Sequence, residues 1–495
     1  MAKEKEKERK MFVGVVWYCA EMKFLLTFIF LIGSLITLLQ FIPSRLALSP
    51  LDLRLCLSNL SSPVAAAFAP SATEDPVLHV PSAQQRESIT ETGVIKRAFN
   101  PYGAAAYLFV QMGAYRGGLN TFAIIGLASK PLHVYGHPWF ECKWIPENAT
   151  HPTASVNGTR ILPDWGYGRV YTVVVVNCTF PSNVGSDGSG GKLLLIASSG
   201  GNHPDDIRTE EIVALTEKPG SLNPSIFTSK PTYDYLYCGS SLYGNLSPQR
   251  IREWIAYHVK LFGRRSHFVI HDAGGVHREV MEVLQPWIEK GFVTLQDIRE
   301  QERFDGYYHN QFMVVNDCLH RFRFLTKWMF FFDVDEFVYV PRKSTIDSVV
   351  SSLSNYSQFT IEQMPISSKL CLADDKGRTP RMWVTEKMVY RDEKRGIRRD
   401  RKYAIQPRNV FATGVHMSQN LVGMTQHKTD GQIKYFHYHG TLSYRRDPCR
   451  EFINATEITY EGVPYVLDQT LRGTAASVKL FELKTIGARL QRTRQ

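Results

Sequence analysis

Three carboxyl groups sit within four residues at Asp333-Val334-Asp335-Glu336. Oxygen ligands at that density suit a hard divalent ion such as Mn²⁺ or Mg²⁺, and through it a diphosphate. Burying such charges without a partner is costly, so a bound cation is the natural counterweight. On an extended strand Asp333 and Asp335 point to the same side, where both could serve one metal–nucleotide complex. An Asp-x-Asp arises roughly once by chance in a chain of this length, so the tripeptide says less than its position. The plainer reading is a solvated turn with capping carboxylates.

The position is set by what precedes it. The run Lys327-Trp328-Met329-Phe330-Phe331-Phe332 is apolar from its second residue on, which suits a strand buried on both faces. Upstream, strands are predicted over Asp234–Cys238, His267–His271 and Phe292–Leu295. Helices are predicted between them over Pro248–Leu261, His277–Lys290 and Tyr308–Phe324. This alternation predicts a parallel α/β sheet, whose ligands bind beyond the carboxyl ends of its strands. His258 falls on the apolar stripe of the first helix with Ile251, Trp254, Ile255 and Phe262, and reads as structural. Asp272 ends the second strand. There a carboxylate can receive uracil N–H or ribose hydroxyls, or cap its loop. Asn310, Gln311, Asn316 and Arg321 lie on the third helix. Asn316 and Arg321 are candidate nucleotide contacts, with helix packing as the alternative.

Residues 96–230 carry a β-rich pattern. Strands are predicted over Ala106–Gly113, Thr121–Ala128, Trp139–Trp144, Arg169–Asn177, Lys192–Ser198 and Glu211–Thr216, parted by Gly- and Ser-rich turns. An antiparallel sandwich is expected. Trp139, Trp144, Trp165 and Tyr167 could stack on sugar rings or fill its core. Residues 43–95, rich in Ser, Ala and Pro, read as a stem. From Phe24 to Ile42 no charge occurs, a span of roughly 28 Å as a helix. Lys3, Lys5, Lys7, Arg9, Lys10 and Lys23 precede it, which orients residues 1–23 to the cytosol and the rest to the lumen. A cleaved signal peptide is the competing reading. Seven Asn-x-Ser/Thr sequons, at Asn59, Asn148, Asn157, Asn177, Asn245, Asn355 and Asn454, agree with a lumenal body. Cys142, Cys178, Cys238, Cys318, Cys371 and Cys449 lack zinc spacing and read as disulfides or buried thiols, with the pairing open. The net charge is +11, but a lumenal body argues against nucleic acid as the partner.

Several segments resemble glycosyltransferase family 92, and within it the plant β-1,4-galactan synthases. They are Tyr235–Asn245, Glu253–His258, His267–Asp272, Asn310-Gln311 with Asn316–Arg321, and Lys327-Trp328 leading into Asp333–Phe337. Lys402-Tyr403, Gln406–Val410, Gly414–His416 and His437-Tyr438 complete the set. The resemblance spans about 232 to 475. Many members read His-Tyr-Arg where this chain has His437-Tyr438-His439, which removes an expected phosphate-binding arginine.

The resemblance implies a GT-A (Rossmann-like) catalytic domain over 231–495, Mn²⁺ dependence and UDP-galactose as donor. It implies transfer to the β-1,4-galactan acceptor of pectic rhamnogalacturonan I at the Golgi membrane. The segment 96–230 would be a carbohydrate-binding domain, and a homodimer is compatible with the sequence. It also implies Asp333 at the nucleotide ribose or the metal, Asp335 as metal ligand, and a late histidine, His437 before His439, as a further ligand. Making a β-linkage from an α-linked donor requires inversion, hence one base on the acceptor hydroxyl. Glu386 is the first candidate, with Asp447, Asp374 and Glu362 as rivals. Ten Lys or Arg between Arg378 and Lys402 could draw in a diphosphate or uronate polymer, or form a solvated face. Two other functions fit the same residues: a different UDP-sugar transferase acting on N-glycans, or a non-catalytic glycan-binding Golgi protein.

Overall fold

The structure is a computed structural model. It describes residues 87–97, 107–130, 138–148, 150–162, 170–200, 207–300, 310–393, 401–429, 431–443, 447–491 and 493. The expected tail, the expected membrane segment, Trp165 and Tyr167 lie outside them. Among the described residues no helix is long and apolar enough to cross a membrane.

A hairpin comes first, β1 (Glu87–Ile89) and β2 (Val94–Arg97), closed by Gly93 at a φ of 78°. Seven antiparallel strands follow. These are β3 (Phe109–Arg116), β4 (Thr121–Ser129), β5 (Trp139–Pro146), β6 (Ala154–Arg160), β7 (Tyr171–Thr179), β8 (Gly191–Ser199) and β9 (Arg208–Glu217). They form one continuous sheet in the order β3-β4-β7-β6-β5-β8-β9, rather than two separate sheets. The unexpected strand β6 makes the difference. Ala154 to Gly158 pair with β5, while Thr159 and Arg160 pair with β7, so β6 carries the ladder from one face to the other. The outer strands then meet: Gln111 Nε2 donates to Ala214 O at 2.8 Å. Phe109, Phe122, Phe140 and Leu195 fill the interior, and a Cys142–Cys178 disulfide ties β5 to β7. Trp144 belongs to this core. It is buried and stacked on Phe122 at 5.5 Å, so it presents no ring to a sugar; Trp139 is 51% exposed.

The predicted alternation follows as β10 (Tyr233–Leu242), α1 (Pro248–Phe262), β11 (Ser266–Asp272), α2 (Arg278–Glu289), β12 (Val293–Asp297), α3 (Gln311–Phe322) and β13 (Thr326–Phe331). The strands β12, β11, β10 and β13 are parallel neighbours in that order. Winding therefore reverses between β10 and β13, which opens a crevice at their carboxyl ends. The sheet continues through β14 (Glu336–Tyr339), β15 (Gln358–Pro365), β16 (Lys402–Ile405) and β17 (Lys434–His437), in the spatial order β13-β16-β15-β17-β14. At the far edge β2 pairs in parallel with β12 through Val94–Lys96. The stem expected over 43–95 thus overlaps a strand of the catalytic sheet.

Helix α1 starts with Pro248, whose missing N–H is harmless at a first helical position. Its buried face carries Trp254, Tyr257 and His258 onto Phe268, Phe332 and Phe337. Each such side chain contributes about 1.5–3 kcal/mol of apolar burial. A C-terminal helix, α4 (Arg472–Ile486), lies outside α1, where Arg252 forms a buried bidentate pair with Glu482. Cys238–Cys318 joins β10 to α3, and Cys371–Cys449 closes the later loops.

Candidate active site

Strand β13 ends at Phe331, so Asp333 and Asp335 lie in the turn between β13 and β14, and Glu336 opens β14. The turn is closed twice. Glu336 N donates to Asp333 O at 3.1 Å, and Asp333 N donates to Glu336 Oε2 at 2.7 Å. Glu336 is therefore a clasp beneath the turn. Its carbonyl accepts from Trp254 Nε1 at 3.0 Å, and Val338 O accepts from Tyr257 at 2.8 Å, so α1 holds β14 in place. The strand geometry expected for Asp333 and Asp335 is replaced, yet the outcome is similar. Ligand atoms of Asp333, Asp335 and Glu336 lie within 4.8 Å of one another.

Strand β17 runs antiparallel to β14 and pairs His437 with Glu336. This register brings Asp335, His437 and His439 into a second group whose ligand atoms lie within 4.8 Å. His437 Nε2 is 3.6 Å from Asp335 Oδ2, and Tyr438 N donates to Asp335 O at 3.0 Å. Gln363 on β15 places Nε2 2.5 Å from His437 Nδ1, while its Oε1 is buried with no hydrogen-bond partner among the described residues. Turning that amide over satisfies Oε1 with an Nδ1–H and leaves His437 Nε2 with a free lone pair facing Asp335. An oxygen-and-imidazole set with that tautomer fits a Mn²⁺-like ion.

Asp333 is held differently. Lys402 Nζ donates to its Oδ2 at 2.6 Å, and Gln311 Nε2 donates to its Oδ1 at 3.2 Å. Lys402 also lies 3.6 Å from Glu336 Oε2 and is almost fully buried. Burial alone would raise the Asp333 carboxyl, but the Lys402 ammonium outweighs it, with His437 and His416 adding, and the group falls below the ordinary carboxylate range. Glu336 is pushed up to about 8 by burial, with Asp333 and Asp335 adding to the shift and Lys402 working against it. Burial disfavours the His437 imidazolium, but the Asp335 carboxylate more than offsets this, and its pKa rises.

The profile of glycosyltransferase family 92 matches residues 233–472. The chain is 58% identical over its whole length to the galactan beta-1,4-galactosyltransferase GALS3 of Arabidopsis thaliana, also covered in full. It is 57% identical, again with both chains fully covered, to the galactan beta-1,4-galactosyltransferase GALS2 of the same plant. A beta-1,4-galactosyltransferase of Caenorhabditis elegans, galt-1, is 28% identical over 42% of this chain and 48% of its own. The chain belongs to glycosyltransferase family 92.

Within this family 92 domain four of the other expected residues are held by contacts of their own. Asp272 caps its loop: Oδ1 accepts from Gly274 N at 2.8 Å and Val276 N at 3.0 Å. Asn316 is fully buried. It donates to Phe312 O and Thr413 O, each at 2.8 Å, and accepts from Thr413 N at 2.9 Å. With both ends of its amide used, Asn316 clasps α3 to the strand Val410–Thr413 and is not a nucleotide contact. Arg321 sits ten residues beyond Gln311 on the same helix, roughly 15 Å along its axis, so it belongs to the far end of α3. Glu386 caps its own short helix through Trp383 N at 2.7 Å and pairs with Lys479 of α4 at 2.5 Å. Asp447 accepts from Cys449 N at 3.1 Å and pairs with buried Lys387 at 3.0 Å. Among the described residues the basic stretch is not one surface. Lys387 and Lys402 are buried in ion pairs, Arg378 meets Asp375, and Arg391 lies 3.4 Å from Asp468.

Lys402, Gln311 and Gln363 are the residues that sequence reasoning passed over as site members. Lys402 stood among ten basic residues and, with Tyr403, among the segments of the resemblance, but with no role assigned, although it opens a short apolar strand, where a lysine is out of place. Gln363 carries no chemical signal of its own.

Proposed function

We propose that this chain is an inverting, divalent-metal-dependent galactosyltransferase that moves galactose from UDP-galactose onto β-1,4-galactan. The observation that carries the reading is the acidic turn at the crevice between β10 and β13, with His437 and His439 brought to Asp335 by β17. The names of the full-length Arabidopsis relatives support the sugar and the polymer.

Asp335, His437 and His439 would hold the cation. When bound, it would neutralise the charge that develops on the departing diphosphate. Asp333 is fixed by Lys402 and Gln311 at the edge of the crevice, where its carboxylate can orient the nucleotide. Glu336 keeps the turn closed while substrates exchange. Neither candidate base is assigned: Glu386 is committed to its cap and to Lys479, and Asp447 to Cys449 N and to Lys387. The charge-free span 24–42 serves as a signal anchor in the Golgi membrane, with the body in the lumen. The three disulfides suit that oxidising compartment.

The test is incubation of the purified chain with UDP-galactose, Mn²⁺ and a labelled β-1,4-galacto-oligosaccharide, followed by linkage analysis of the product. Chain extension by β-1,4-linked galactose is expected. Extension from a different UDP-sugar only, or an unchanged oligosaccharide, would overturn the reading.

A further inference from the structure

The acidic cluster contains its own cation. Lys402 stands on β16, between β13 and β15, and is backbone-paired with Ile361 of β15. Its ammonium reaches Asp333 at 2.6 Å and Glu336 at 3.6 Å from beneath the turn. Both Lys402 and Glu336 are almost fully buried, whereas Asp335 opens towards His437 and His439. This lysine, at the start of a central strand, is buried and already paired, which holds its ammonium in place when another cation arrives. At such distances a unit charge is a strong influence even at the effective dielectric of a protein interior.

Three carboxyl groups thus face one fixed ammonium before any metal is considered. We propose that Lys402 is a positioning residue that withholds part of the cluster's negative charge, so that a divalent ion binds tightly only together with a diphosphate-bearing nucleotide. The inference rests on the reading of this cluster as a metal–nucleotide site. Lys402 touches neither ligand. It acts through Asp333, turning that carboxylate away from the ion and towards the nucleotide side. The missing charge around the ion is then supplied by the diphosphate. A site built this way stays largely empty of metal until the donor is present, and releases the ion as the spent nucleotide leaves.

The test is direct Mn²⁺ binding to the full chain, followed by the electron paramagnetic resonance of free Mn²⁺, with and without UDP. The wild type should bind Mn²⁺ at least tenfold more tightly when UDP is present. In Lys402→Met, Mn²⁺ binding without UDP should tighten at least tenfold and the UDP effect should shrink, while Lys402→Arg retains the wild-type pattern. Gln311→Glu adds a carboxylate beside Asp333 with Lys402 in place, and should also tighten Mn²⁺ binding without UDP. It decides the matter if Lys402→Met fails to fold. A merely structural lysine would change the melting temperature but not these affinities. Unchanged Mn²⁺ affinity in both folded variants, or a wild type that binds Mn²⁺ equally well without UDP, overturns the proposal alone. A wild type that binds no Mn²⁺ even with UDP overturns the metal–nucleotide reading beneath it.

Discussion

The hydroxyl of Tyr115, on strand β3, donates to Asp317 Oδ1 of helix α3 at 2.6 Å. Asp317 is fully buried, and a side chain at Gly113 would strike the same oxygen at 2.7 Å. Met313 and Val314 of α3 share a core with Val110, Ile125 and Val175 of the β-rich half. The helix that starts at Gln311, beside Asp333, is therefore packed against both halves. Tyr115→Phe should cost about 1–3 kcal/mol by leaving a buried carboxylate short of a donor. The drop should appear in the urea midpoint, with the KM for donor unchanged.

Asp335→Asn should lower the transfer rate by about 100-fold or more, because the cation loses an anionic ligand at the point where charge develops. Thermal stability should hold or rise, since Asp333, Asp335 and Glu336 crowd one another and one of these acidic groups is gone. A variant with wild-type rate at saturating Mn²⁺ would remove Asp335 from the metal set.

Gln363→Leu should weaken metal affinity about 10–100-fold, as loss of an orienting partner does for other metal-bound histidines. The shift is read from the Mn²⁺ concentration at half-maximal rate. Gln363→Glu, which can accept from His437 Nδ1–H, should restore it. An unaltered Mn²⁺ dependence in Gln363→Leu would show that His437 needs no such partner.

Glu386→Ala should lower the melting temperature through loss of a cap worth about 1 kcal/mol, with little change in kcat. The Lys479 pair is partly exposed and adds little. A fall in kcat of about 100-fold with the fold intact would return Glu386 to the role of base.

Stability should fall as the pH drops below about 6.5. Burial depresses His258 to about 3, His267 to about 4 and His320 to about 3. Between those values and 6.5 the unfolded chain takes up protons that the folded rings refuse. Unfolding is then favoured by up to about 1.4 kcal/mol per pH unit for each ring. Urea midpoints measured from pH 6.5 down to 4.5 should decline; a flat profile would contradict the buried neutral state of these rings.

The core of the catalytic half was legible because its strands are apolar on both faces. The predicted run ending at Phe332 and the observed β13, Thr326–Phe331, differ by one residue at each end. Strand β6 escaped detection because Ala-Ser-Val-Asn-Gly-Thr-Arg alternates between half-buried and exposed positions and carries few large apolar groups. The acidic turn and His437 could be read from residue type. Lys402, Gln311 and Gln363 could not, since their roles depend on which strands lie side by side, and sheet order is decided by long-range packing. Asn316 misled for the converse reason: an amide on a helix near the site has the same sequence signature whether it grips a ligand or a neighbouring peptide.

Strand β2 lies in the catalytic sheet, yet it precedes the whole β-rich segment in the chain. The chain therefore lends a border strand to the catalytic sheet before it enters the β-rich segment. A shortened protein beginning at residue 231 would lose a border strand and bare the hydrogen-bonding groups of β12 to other molecules, inviting aggregation. Excising the middle while splicing Arg97 to Tyr233 would be the cleaner way to ask what the β-rich half contributes.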